Sequence, residues 1–131
     1  MNDLEDVFLK IKSILVKYSS SFLSKDKYIG SQAIEKKPAY HLYGSKKVSL
    51  FGKKSQPTYI AGVIQQKNYV SFYLSAIYSH PELFKNISPE LKKFLKGKSC
   101  FNINKLTPPI LQEVEEILQI GIKKYQELDW V

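Results

Sequence analysis

The chain has 131 residues, 44% of them hydrophobic and 24% charged, which suits a single soluble domain whose core needs no staples. One cysteine leaves no intrachain disulfide to form, and no apolar run approaches the roughly 20 residues of a membrane span. The formal charge of +8 comes from twenty basic residues that are all lysine; this balance draws polyanions but lacks the guanidinium groups on which base reading and bidentate phosphate clamps rely.

The first helix is expected to start at Asn2 or Asp3, with Glu5 and Asp6 in its first turn, where acids favour the helix dipole. Leu4, Val7, Phe8, Ile11, Ile14, Leu15 and Tyr18 then recur at helical spacing, and Ser19-Ser20-Ser21 ends the pattern. Acids ahead of the apolar residues, and Lys10 and Lys12 among them, do not make a secretory leader, so a cytoplasmic location is expected. Residues 25–38 read as a loop containing at most one helical turn, with Gly30 and Pro38 as breakers.

Short strand-like runs follow. Ala39–Tyr43 and Lys47–Phe51 flank Gly44-Ser45-Lys46, which predicts a hairpin, and Gly52–Gln56 reads as a polar turn. Thr58–Gln65 and Tyr69–Ile77 are the strongest strands, rich in Tyr, Val, Ile and Phe. With Lys67-Asn68 as their loop, Val63 faces Phe72 and Ala61 faces Leu74 on the core side. Gly62 then lies opposite Tyr73 on the other side, and a Tyr73 ring over that glycine makes a sound cross-strand pair. Ser88-Pro89-Glu90 starts a short helix with Leu91, Phe94 and Leu95 buried and Gly97 ending it, after one turn within 81–85. Ser99–Ile103 is a brief strand with Phe101 and Ile103 inward. Thr107-Pro108-Pro109 opens the last helix, whose stripe is Ile110, Leu111, Val114, Ile117, Leu118, Gly121, Tyr125 and Leu128.

This order predicts one α+β domain over 1–131: a mainly antiparallel sheet of about five strands with the N- and C-terminal helices on one face. The stretch from Gly62 to Leu106, with its two strand runs, its Ser88-Pro89-Glu90 helix start and its Lys-Gly-Lys-Ser-Cys-Phe-Asn return over 96–102, resembles the YdhG-like family, domain of unknown function 1801. The likeness runs from near Tyr59 to Val131 and is weaker over 19–57. It implies an arrangement similar to the frataxin fold and carries little chemistry with it.

Candidate sites divide by chemistry. Cys100 has Lys98 nearby but no obvious base, and reads as a small residue packed beside Phe101. His41 and His80 lie far apart and lack metal-ligand spacing, so no cofactor is implied. An iron-chaperone role credited to at least one YdhG-like protein raises iron binding, for which Asp3, Glu5 and Asp6 are the available oxygen ligands. The helix dipole accounts for those acids equally well, as it does for Glu113 and Glu116, which read as a solvated face. Eight lysines in 25–54 and six in 85–105 suit weak, sequence-independent binding to nucleic acid, with specific recognition disfavoured.

The sheet face turned from the helices is the better surface. Alternation places His41, Tyr43, Ser49, Phe51, Tyr73, Ser75 and Asn102 on it, aromatic bodies with polar tips suited to a protein partner or small molecule, unless a loop or a second copy of the chain covers them. No base, nucleophile and orienting group occur together, so the expected function is a non-enzymatic binding module.

Overall fold

A computed structural model describes residues 3–25, 37–49, 52 and 54–131. Helix α1 spans Asp3–Val16, and strands β1 to β4 span Leu23–Lys25, Ala39–Val48, Gln56–Gln65 and Val70–Leu74. Helix α2, Ser75–Ser79, a 3-10 turn at Pro81–Phe84 and helix α3, Pro89–Lys92, lead to strands β5, Leu95–Lys96, and β6, Cys100–Ile103. Helix α4 closes the order at Pro108–Glu127. The strands form one antiparallel sheet in the order β1-β2-β3-β4-β6-β5, so the chain is an α+β protein with a helical excursion between β4 and β6.

The β3–β4 hairpin has the predicted register: Ala61 pairs with Leu74, Gly62 with Tyr73 and Val63 with Phe72. Ala61, Val63, Phe72 and Leu74 are buried together with Phe101 and Ile103 of β6. Phe72 stacks on Phe101 at 6.2 Å between centroids, inclined by 27°. Helix α1 supplies Val7, Phe8, Ile11, Ile14 and Leu15 to this core, and α4 supplies Ile110, Val114, Ile117, Leu118, Ile122 and Tyr125. The terminal helices therefore share one side of the sheet, and Lys17 at the end of α1 pairs with Glu115 of α4 at 2.6 Å. Leu128, predicted as part of the α4 stripe, lies beyond the helix and is exposed.

Local chemistry sets the helix starts. Ser88 Oγ accepts from Leu91 N at 3.2 Å and Thr107 Oγ1 from Ile110 N at 3.4 Å, each followed by proline at the first helical position. Glu113 is not a solvated acid: it accepts from Ser88 N at 2.8 Å and Ser88 Oγ at 2.5 Å, tying α3 to α4. Gly121 lets α2 approach α4, since a Cβ there would stand 3.0 Å from that of Ala76. Gly97 turns the chain between β5 and β6 with φ +68°, where glycine is at ease.

Three strand expectations are corrected. Ala39–Tyr43 and Lys47 onward are not two arms of a hairpin: both pair with β3, Tyr43 with Tyr59 and Lys47 with Pro57, so Gly44-Ser45-Lys46 is an irregularity inside one long strand. Gly44 is buried against Val131, whose Cγ1 would be 2.7 Å from an added Cβ, and packing rather than a tight turn explains the glycine. Tyr69–Ile77 is strand only to Leu74. Ser75 begins α2, and its hydroxyl donates to the Tyr59 carbonyl at 2.6 Å. The short edge strand β1 is not foreseen: Leu23 and Ser24 carry no strand signal and Lys25 opens the expected loop, most of which, 26–36, lies outside the described residues.

Candidate binding face

Register alone assembles the reverse face. Across the sheet, Lys25 pairs with His41, His41 with Gly62, Gly62 with Tyr73, Tyr73 with Cys100 and Cys100 with Lys96. Residues paired in this way project to the same side, so these form one transverse row. One step along, Ile64, Ser71 and Asn102 form the next.

The β2–β3 half of this face is closed. Pairing of Leu42 with Ala61, then of Tyr43 with Tyr59, skips Ile60 and makes a bulge on β3. Ile60 and Ala61 are both buried, and the bulge carries the Tyr59 ring over Gly62, where its hydroxyl and Cζ are the nearest atoms with His41 Nδ1. The ring expected above the glycine, that of Tyr73, is therefore replaced by Tyr59. His41 Nδ1 lies 2.9 Å from Tyr59 Oη, and Tyr43 meets Tyr59 edge to face at 5.2 Å and 81°. This mutual packing leaves His41 2% and Tyr43 3% exposed, which corrects the expectation that alternation would present them to solvent.

The β4–β6 half is different. Tyr73, Cys100 and Asn102 are half-buried around a buried Ser71. Ser71 Oγ lies 3.3 Å from Asn102 Oδ1, Cys100 Sγ 3.4 Å from the same oxygen, and Gln66 Nε2 3.5 Å from Ser71 Oγ. Phenol, thiol, amide and hydroxyl thus offer donors and acceptors within one small area. Of the predicted site residues, the structure gathers Tyr73 and Asn102 here and sets His41 and Tyr43 in the closed half. Phe51 lies outside the described residues. Ser49 is exposed past the end of β2, and Ser75 faces the helices, 2.9 Å from Tyr125 Oη. Sequence reading missed Tyr59 and left Ser71 and Cys100 out of this face, taking Cys100 only as a small residue beside Phe101; extending the 62–73 pairing one strand further places the thiol here.

Burial pushes the Cys100 thiol up, partly opposed by hydrogen bonding from Tyr73 and Ser71. Burial also raises the Tyr73 phenol, with the neighbouring Cys100 adding to it. Both groups hold their protons to higher pH in the folded protein than in the unfolded chain. The stability this contributes is complete below the unfolded pKa of the thiol and is lost as pH rises through the folded value. Cys100 is accordingly expected to react with a disulfide reagent more slowly than a cysteine peptide at neutral pH and to speed up only in alkali. Labelling as fast as the peptide at neutral pH would contradict the burial assignment.

The other polar groups are structural. His80 packs on Trp130 at 5.5 Å between ring centroids, and its Nδ1 lies 2.9 Å from Ser79 Oγ, which in turn is 2.8 Å from Tyr125 Oη. Asp6 is paired with Lys10 at 3.0 Å. Among the described residues no three His, Cys, Asp or Glu side chains are grouped as metal ligands would be, and no helix is long and apolar enough to cross a membrane. Comparison with family models, curated proteins and solved structures found no match.

Proposed function

We propose that this chain is a YdhG-like domain, with the frataxin-like arrangement that family implies, acting as a non-enzymatic binding module. Its ligand, a small polar molecule or a segment of a protein partner, sits on the half of the reverse face bearing Tyr73, Cys100 and Asn102. The supporting observation is the contrast between the two sides of the sheet. One is filled by α1 and α4, whereas the other leaves three half-buried polar side chains around Ser71, next to a closed aromatic block. Rigid strands hold this row, which lowers the ordering cost of binding. Catalysis is not favoured, because Cys100 is kept protonated and the imidazole of His41 lies three strands away along the row. The iron reading gains no support from α1, whose Asp6 already faces Lys10.

A fragment screen followed by amide shifts tests the proposal, with protection of Cys100 from alkylation as a second readout. Ligands are expected to move Tyr73, Cys100 and Asn102 and to slow thiol labelling. Tyr73→Ala is expected to weaken them about tenfold while the melting temperature stays within a few degrees. Shifts confined to other faces, or a collapse of stability in Tyr73→Ala, would remove this face from consideration.

A further inference from the structure

Four of the six lysines of 85–105 lie on or beside the β5–β6 edge of the sheet. Lys98 lies in the β5–β6 turn, Lys96 on the edge strand opposite Cys100, and Lys93 and Lys105 line a cleft of about 500 Å³ with Glu90, Phe94, Asn104 and Ile110. Lys85 and Lys92 precede them in the chain, and all six are exposed. Glu90 is the only acid in this span. Lys10, Lys17 and Lys46 are paired with Asp6, Glu115 and Asp129, whereas among the described residues none of these six makes an ion pair, as Lys12, Lys123 and Lys124 make none. Uncompensated cations along one edge raise the local potential and suit an anionic partner that spans them.

Tyr78 decides which polyanion fits. It is 59% exposed at the end of α2, and Lys98 Nζ lies over its ring, 5.3 Å from the centroid. An exposed ring beside a cation is the pairing that takes an unpaired base and its phosphate together. A membrane surface fits less well, since Leu83, beside Lys85, is the one exposed aliphatic side chain near these lysines in sequence, whereas Leu9, Val16 and Ile120 lie on α1 and α4. We propose that this edge is a docking track for single-stranded nucleic acid, bound without sequence preference through the lysines and a stack on Tyr78. It goes beyond the reverse-face site and shares only Lys96 with it.

Anisotropy of a labelled oligothymidylate of about twenty nucleotides across a salt series tests this. Binding is expected to saturate at low salt, with log K falling linearly in log salt. Lys93→Gln/Lys96→Gln/Lys98→Gln should weaken it at least tenfold and reduce the slope by about 2. The same charge change on the helices, Lys10→Gln/Lys123→Gln/Lys124→Gln, should do much less. Tyr78→Ala should weaken the single strand about tenfold yet leave a duplex of similar charge unaffected, and Tyr73→Ala should leave the oligonucleotide unaffected. Melting temperatures of the variants check that each remains folded. Equal losses from the two lysine triples, a silent Tyr78→Ala, no saturable binding, or tighter binding to phosphatidylserine vesicles than to the oligonucleotide would each overturn the proposal.

Discussion

Gly62→Ala is expected to destabilise the protein by roughly 1–3 kcal/mol, a fall in melting temperature of about 5–15 °C for a chain of this size. The added methyl would stand 2.5 Å from His41 Nδ1 and 3.1 Å from Tyr59 Cζ, and closer still to the Tyr59 hydroxyl. None of these atoms can step aside freely. Tyr59 is held edge-on by Tyr43 and hydrogen-bonded to His41, and the residues beneath belong to paired strands. Backbone strain is not the cause, because Gly62 has ordinary strand geometry; the demand is for space alone. Tyr59→Phe removes the nearest atom, so the alanine should cost less in that background than in the natural one. Thermal melts of the four proteins decide the matter. A Gly62→Ala protein melting within a degree of the parent would show that Tyr59 does not lie over this position.

Phe72→Ala should have the larger effect, about 3–5 kcal/mol, a third or more of the stability of an ordinary domain. Phe72 is 0% exposed, stacks on Phe101 and lies on the strand face that both terminal helices cover. Removing its ring leaves a void bordered by regular strands, which cannot collapse into it. The adjoining Tyr73 points the other way, so two neighbouring alanine substitutions are expected to differ by several kcal/mol. Urea titration of the pair reads this difference directly. Equal destabilisation, or a loss below about 1 kcal/mol at Phe72, would contradict the observed register.

The hairpin was legible because three signals agreed: a two-residue polar loop, period-two alternation and a single pairing that buries Val63 with Phe72. The caps at Ser88 and Thr107 were legible because they depend on a few adjacent residues. What failed depended on partners distant in sequence. Gly44-Ser45-Lys46 carries turn-like composition, yet its glycine answers to Val131, and both flanking segments bond to β3. Alternation placed His41 and Tyr43 on the reverse side correctly but said nothing of burial, which follows from the Ile60 bulge. A bulge inserts one residue without a compositional mark, and it re-aimed Tyr59 toward Gly62. Ser75 continued an apolar run by composition, while its hydroxyl bonds to the Tyr59 carbonyl and Tyr125 ended the strand there.

The placement of β6 beside β4, with 75–99 inserted between them, has a kinetic consequence. The β3–β4 ribbon closes over a few residues and can nucleate within microseconds, whereas β6 docks only after the whole insertion has looped back. The cover on its apolar side arrives later still, from opposite ends of the polypeptide. Collapse should therefore spread outward from one local ribbon, and the edge carrying Lys96 and Lys98 should be among the last parts to set.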